Sequence, residues 1–402
     1  MPMPMPATAP AYVPRAQFLL AILLLWLAGN GLRITILAVP PIVAMVRTEF
    51  GLNATEVALL SSIPPALFAV AALAGSLVVA RLGLVPALIG GLALTALGSA
   101  LRGLSGNFAT LLVTTIAMSV GVAMLQPIMP AVVRAWMPQR IALGTAVYTN
   151  GLLVGEVFPT LLTTPFVLPW LDQSWRQSLV FWSLPVALIA IAVAAFAPRT
   201  LVPAPTALGT PRKWLPDWQE GLVWRLGALF CCINAVYFSA NAFIPIYLAV
   251  QGQPDRIGGT LAALNFGQLP ASFLLLALGA RLERKAWPYV ASGILTFIAL
   301  AGLVFDVGAL TIWWAALLGF AVAAGLILAL MLPPLLCKPE DVARTAAGTF
   351  TLSYGGGVGV AIIGGAAWDL TGIPAMAFLP LALCAVGLIA ATFVLRANRE
   401  LV

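Results

Sequence analysis

Histidine is absent from this chain of 402 residues. That removes imidazole proton relays, imidazole metal ligands and any serine–histidine or cysteine–histidine nucleophile pair. Charge is scarce as well. Asp, Glu, Lys and Arg make up 8% of the residues, against about 25% in a soluble globular domain. The four cysteines, Cys231, Cys232, Cys337 and Cys384, lie in or at the edges of apolar stretches. They read as small buried hydrophobes, not as a disulfide framework or a zinc site. No phosphate-cradling glycine loop of the Walker type occurs, which excludes direct drive by ATP through such a site. The run Gly355-Gly356-Gly357-Val358-Gly359 lies inside an apolar stretch and lacks the strand-to-helix setting of a nucleotide site. No cofactor, no metal and no enzymatic activity are expected.

What is abundant is apolar. The chain is 62% hydrophobic with a mean hydropathy of +1.04. Apolar runs of membrane-crossing length recur, at roughly 16–44, 57–80, 84–102, 108–133, 142–168, 177–197, 221–249, 257–281, 286–305, 309–334, 345–367 and 374–396. In hydrocarbon the backbone must satisfy itself, so these runs are helices, and they are too long for barrel strands. The expected class is an all-α membrane protein of twelve helices in two pseudo-symmetric six-helix bundles. Residues 1–15 form an N-terminal tail, its MPMPMPATAP start disordered. The bundles are 16–197 and 221–396, a polar linker spans 198–220, and 397–402 is the C-terminal tail. The first span is too long for a cleaved signal peptide and no small-residue cleavage site follows a short apolar core.

With the N-terminus in the cytoplasm, fifteen of the twenty basic residues fall at inner span ends. Only Arg47, Arg102, Arg176 and Arg256 fall outside, and Arg33 lies within a span. Basic residues favour the cytoplasmic side, so both termini are expected there, in the inner membrane. The net charge of +7 is then explained by topology and lipid headgroups, with no nucleic-acid partner. Arg102, at the outer end of the third span, reads as snorkelling to the interface. The tryptophans, Trp26, Trp136, Trp175 and Trp182 among them, read as interfacial anchors.

Shifted by 204 positions, the chain matches itself. Gly121 falls on Gly325, Pro130 on Pro334, Arg140 on Arg344, Gly151 on Gly355, Gly155 on Gly359 and Asn30 on Asn234. Tandem apolar halves are a plan of secondary transporters, with the solute site between them. Gly144, Gly151 and Gly155 are expected to form a packing face, and Gly348, Gly355 and Gly359 its counterpart; such faces pack helices tightly and allow the halves to rock.

Two residues escape the repeat: Arg33 falls on Tyr237 and Glu156 on Val360. Arg33 lies about 27 Å along its helix from Arg15, beyond the midplane. A guanidinium at such depth is costly and should face a cavity or a partner; its planar fork suits a carboxylate or similar anion. Glu156 lies about 24 Å along the fifth span from Arg140, at similar depth. The two either form a structural ion pair, couple to a proton or to solute, or stand apart. No other charge lies this deep in the second half. The neutral candidates for solute binding are Tyr237, Asn241, Asn234, Asn265, Gln268 and Tyr354, with Asn30, Gln126 and Tyr148 in the first half. Any one of these is equally a helix–helix hydrogen bond.

Two six-helix bundles joined by a central polar linker resemble the major facilitator superfamily. Gly75, Arg81 and Gly83 fit its motif between the second and third spans, with Val79 at the usual acidic position. The segments Ala28-Gly29-Asn30-Gly31-Leu32-Arg33, Phe50-Gly51-Leu52-Asn53-Ala54-Thr55 and Leu59-Leu60-Ser61-Ser62-Ile63-Pro64 resemble the cyanate permease and 2-nitroimidazole transporter branch, as do Arg102 and Met137-Pro138-Gln139-Arg140. The resemblance implies alternating-access transport of a small polar or anionic solute, by symport with protons if Glu156 carries one. The partners expected are that solute, protons and membrane lipids, and the protein is expected to be monomeric. The alternatives are a drug or metabolite exporter with a mainly apolar cavity and a non-transporting membrane receptor.

Overall fold

A computed structural model describes residues 15–52, 54–198, 213–305, 308 and 310–402. The N-terminal Met-Pro repeat and most of the linker lie outside the described residues. Twelve helices are long and apolar enough to cross a membrane, and the described residues contain no strand. They are α1 (Ala16–Phe50), α2 (Ala54–Leu82), α3 (Leu84–Gly103), α4 (Phe108–Trp136), α5 (Ile141–Trp170) and α6 (Trp175–Phe196). The second half contains α7 (Gly221–Val250), α8 (Ile257–Leu282), α9 (Trp287–Phe305), α10 (Thr311–Leu336), α11 (Val342–Thr371) and α12 (Pro374–Ala397). Within each half consecutive helices join through short turns, so each runs against its predecessor. The face where α1 begins and α6 meets α7 is here the linker face; the other is the far face.

These segments are helical because the bilayer offers no hydrogen bonds to a bare backbone. Several hydroxyls inside the spans bond to their own helix. Thr95, Thr115, Ser119, Thr149 and Thr392 each donate to the carbonyl four residues earlier, at 2.7–2.8 Å. Side chains facing lipid stay apolar, such as Leu188, Ile191 and Ile362. Trp170, Trp287 and Trp313 lie exposed near span ends, as expected of anchors. Trp175 and Trp182 do not: they are buried, donating to Glu49 Oε2 at 2.5 Å and Thr163 Oγ1 at 2.9 Å. Trp26 is likewise internal, its indole donating to Asn150 Oδ1 at 3.0 Å.

Within the first half α1 packs on α5, and within the second α7 packs on α11. The halves meet along α2–α11 and α5–α8. Glycine permits the close α1–α5 approach: a Cβ on Gly29 would stand 2.0 Å from the Tyr148 carbonyl oxygen, and one on Gly151 2.2 Å from that of Trp26. The expected counterpart in α11 forms only at Gly348, where a Cβ would stand 2.9 Å from Val223 Cγ1 of α7. A Cβ on Gly355 or Gly359 would meet nothing within 4 Å. The repeat keeps glycine at these positions, but in α11 the contact with α7 has moved to Gly356 and Gly357, beside Cys231 and Ala235.

The linker face is closed. Residues 121–133 of α4 are buried without interruption, and so are 327–334 of α10. A membrane helix buried all round is enclosed by protein, so these linker-side segments fill the centre of the molecule. Ala131 packs against Val342 and Ala343 across the halves. Ser76 Oγ donates to the Trp214 carbonyl at 2.7 Å, tying α2 to the residues before α7.

Candidate functional site

Helix α1 is interrupted where its charge lies. The regular helix ends at Gly31 and a short turn starts at Ile34; Arg33 stands between them with φ −125° and ψ −29°. Breaking the ladder frees backbone groups that must be satisfied by protein, as in discontinuous transporter helices. One such group, the Thr35 carbonyl, accepts from Arg102 Nη1 at 3.0 Å. Arg102 is therefore no snorkelling residue. It is fully buried, with Met118 Sδ 2.7 Å from the same nitrogen. The reading from span position failed because α3 turns this face toward α1 and α4.

Arg33 Nε lies 3.3 Å from Glu156 Oε1, with only 11% and 14% of the two side chains exposed. The Nε–H makes no aligned hydrogen bond, so the contact is an ion pair without directional closure. The guanidinium stands 5.8 Å from the Phe68 ring centroid, a cation–π distance, and Tyr354 meets that ring edge-on at 5.1 Å. Pairing with a carboxylate and an aromatic face offsets part of the cost of holding Arg33 away from water.

The pair lies in a cavity of about 240 Å³ that runs from Arg33 toward the far face. Its walls are Ile36, Leu37, Val39 and Pro40 of α1, Leu60, Pro64, Pro65 and Phe68 of α2, Arg102, Thr115 and Met118, then Glu156, Tyr237, Phe238 and Asn241. Both halves contribute. On the linker side of the pair the space shrinks to about 20 Å³ among Asn234, Gln268, Leu326 and Ile327. Arg33 and Glu156 are thus the floor of a cavity open toward one face.

The expected neutral wall exists in part. Tyr237 donates to Asn265 Oδ1 at 2.7 Å, and Asn265 Nδ2 donates to Asn241 Oδ1 at 3.2 Å. Asn241 Nδ2 returns to the Tyr237 carbonyl at 2.9 Å, and Gln268 Nε2 approaches Asn265 Oδ1 at 3.4 Å. This closed network holds Tyr237 and Asn241 on the cavity while using most of their hydrogen-bonding capacity. Asn234 lines the narrow end and donates to Ser353 Oγ at 2.7 Å. Five candidates line neither space: Asn265 supports Tyr237 and Asn241 from behind, Tyr354 packs against Phe68, and three more lie elsewhere. Asn30 donates to the Trp26 carbonyl at 2.9 Å in the α1–α5 seam, and Tyr148 and Gln126 are buried outside the cavity walls. Position in the sequence missed Phe68, Phe238 and Arg102. The aromatic pair carries no polar signal, and Arg102 lay at a span end. Among the described residues no cluster of acidic or sulfur side chains fit for a metal occurs.

Residues 19–269 match the sequence model of the Major Facilitator Superfamily. The chain belongs to that superfamily. It is 27% identical to the cyanate transport protein CynX of Escherichia coli over 92% of this chain and 96% of that one. It is 24% identical to the 2-nitroimidazole transporter of E. coli over 75% and 76% of the two chains. In structure it is similar to the proton:xylose symporter XylE, with a TM-score of 0.72, 10% identity and 96% of each chain covered. It is equally similar to the human organic anion transporter MFSD10, with a TM-score of 0.72, 16% identity and coverage of 95% and 100%. The superfamily fold and the cyanate and nitroimidazole transporter branch are those that its motifs suggested. As a superfamily transporter it is an integral membrane protein built to bind a small-molecule solute.

Proposed function

We propose that this transporter moves a small anion across the bacterial cytoplasmic membrane by alternating access, Arg33 receiving the negative charge. The observation that carries the reading is the loosely aligned Arg33–Glu156 pair at the floor of a cavity walled by both halves. A solute carboxylate or similar anion can take the place of Glu156 on the guanidinium fork. Glu156, released into a partly apolar cavity, then favours its protonated form, which links solute to proton movement. The basic excess on the linker face supports an orientation with both termini in the cytoplasm and the cavity open outward. About 240 Å³ is below the roughly 300–1,000 Å³ of pockets for drug-sized ligands. The size supports a small solute. The relative named for cyanate transport supports an anion.

The test is uptake by proteoliposomes of a panel of small radiolabelled anions, beginning with cyanate. Arg33→Gln is expected to abolish uptake and Arg33→Lys to retain part of it. Glu156→Gln is expected to retain exchange between anion pools while losing accumulation driven by a proton gradient. Accumulation by Glu156→Gln equal to wild type would remove the proton from the mechanism. A second reading, export of a neutral solute through the mainly apolar walls, is favoured by Leu60, Phe68, Met118 and Phe238 and by the 2-nitroimidazole relative. Transport of 2-nitroimidazole undiminished in Arg33→Leu would support it over the anion.

A further inference from the structure

Three charged side chains line the cavity: Arg33, Glu156 and Arg102. The first two neutralise one another at 3.3 Å. Arg102 has no carboxylate within salt-bridge distance among the described residues. Its Nε and Nη2 have no hydrogen-bond partner, although the side chain is wholly shielded by protein. Only Nη1 is engaged, by the Thr35 carbonyl and Met118 Sδ. A buried guanidinium with two idle nitrogens is an expensive thing for a fold to keep. Holding the broken turn of α1 needs one donor and no charge. Arg102 is one of the cavity's lining residues, with these two nitrogens covered, and the three charged side chains on its walls sum to one net positive charge.

We infer that Arg102 is a second anion-binding group of this cavity, the one that captures solute first, and that the solute is a small monovalent anion. This rests on the anion reading above and specifies it. Among the described residues Arg102 is the cavity cation without a counter-charge; an incoming anion reaches its covered nitrogens by a local movement of the wall and need not break the Arg33–Glu156 pair. One negative charge brings the cavity to neutrality. A dianion overshoots it and must also leave a strong hydration shell for walls made largely of Ile36, Leu60, Phe68 and Phe238. Arg102 also holds Thr35, two residues from Arg33, so loading Arg102 bears directly on the turn that positions Arg33. Capture at Arg102 followed by transfer to Arg33, with release of Glu156, gives the order of events.

The experiment is an anion titration followed by the thermal midpoint of detergent-purified protein, with cyanate, acetate and propionate as monovalent probes and sulfate as the dianion, and gluconate balancing ionic strength. In wild type the monovalent probes are expected to raise the midpoint saturably and sulfate not to. Arg102→Gln keeps a donor for the Thr35 carbonyl and removes the charge; its half-saturating concentration is expected to rise by about ten-fold or more, the scale of one charge-assisted hydrogen bond. Arg102→Lys is expected to recover most of that loss. Should Arg102→Gln not fold, Met118→Glu decides. A carboxylate tethered beside Arg102 is expected to raise the midpoint of the unliganded protein and to abolish the anion-induced shift. An unchanged titration in Arg102→Gln, or in a folded Met118→Glu, overturns the inference; if Arg33→Gln then loses the shift, the anion reading survives without Arg102. A sulfate shift matching that of acetate overturns the monovalent assignment. No shift in wild type with any probe overturns both readings.

Discussion

Arg33 in α1 and Tyr237 in α7 occupy equivalent places in the repeat, as do Glu156 in α5 and Val360 in α11. The helix order around them is the same, and the chemistry is not. The first half breaks α1 at its charge, braces the break with Arg102 and pairs Arg33 with Glu156. The second half leaves α7 continuous from Gly221 to Val250 and offers a neutral hydrogen-bonded wall. The comparison teaches that duplication supplied two scaffolds and that charge was placed in one. A single ionic half meeting a neutral half gives a cavity with one defined pole, which orients a solute of one charge. Two ionic halves would have required either a zwitterion or further compensation.

The largest expected effect comes from making the first half resemble the second at one position only. Glu156→Val leaves Arg33 without its counter-charge, and removing one partner of a buried pair costs roughly 3–5 kcal/mol. The double variant Arg33→Tyr with Glu156→Val removes both charges and is expected to recover most of that loss while transporting nothing. Denaturant unfolding in a fixed detergent measures both. A double variant no more stable than Glu156→Val would mean that the pair is not what stabilises this floor.

A smaller difference separates the glycines. Gly151→Ala drives a methyl to 2.2 Å from a backbone oxygen of α1, which no side-chain movement relieves. The expected loss is about 1–3 kcal/mol, the range of overpacked cores. Gly355→Ala meets open space, and the gain in helix propensity of roughly 0.5–1 kcal/mol is expected to leave it neutral or slightly more stable. Equal losses at the two positions would restore the symmetric packing that the repeat suggested.

These contrasts also mark where the sequence could be read. Helix number and class follow from apolar run length, because hydrocarbon leaves the backbone few alternatives. Arg33 and Glu156 were legible as partners because depth along a straight helix is arithmetic and both start from the same face. Arg102 was not legible. A residue in the last turn of a span looks the same whether it snorkels or turns inward, and only the packing of α3 against α1 and α4 decides. Gly355 and Gly359 misled for a related reason: identity recurs at the repeat distance, but contact depends on rotation about the helix axis, which moved to Gly356 and Gly357. Asn30 lies on a helix that forms the cavity but faces the α1–α5 seam, a matter of helix phase that polarity alone does not reveal.

Next in size is Tyr237→Phe. It removes the donor to Asn265 Oδ1 and leaves that oxygen with only the long Gln268 contact. The expected loss is about 0.5–1.5 kcal/mol in stability, with transport retained and affinity altered by a small factor. Arg33→Gln, in the opposite wall, is expected to abolish transport. If Tyr237→Phe abolished transport while unfolding like wild type, the neutral wall would be a direct solute ligand and the poles of the cavity would have to be redrawn.

The smallest effect tests the closed linker face, where the halves meet without symmetry. Glu283, just past the end of α8, is held above the usual carboxylate range by burial, while a hydrogen bond from the Ala142 amide at the start of α5 pulls it down. The net direction is upward, so the closed arrangement binds a proton more tightly than an arrangement in which Glu283 is free in water. Closure is therefore favoured below the ordinary carboxylate range and weakens as pH rises through the raised value. Glu283 is partly exposed, so solvent screening keeps the effect below about 1 kcal/mol. A cysteine placed at Ala343, in a background lacking Cys231, Cys232, Cys337 and Cys384, reports closure through its rate of labelling by a membrane-permeant maleimide, normalised to a free thiol at each pH. Labelling is expected to quicken as pH rises from about 5 to 7 beyond the normalised baseline, and Glu283→Gln is expected to remove that slope. A slope unchanged in Glu283→Gln would place the pH-sensitive contact elsewhere on the linker face.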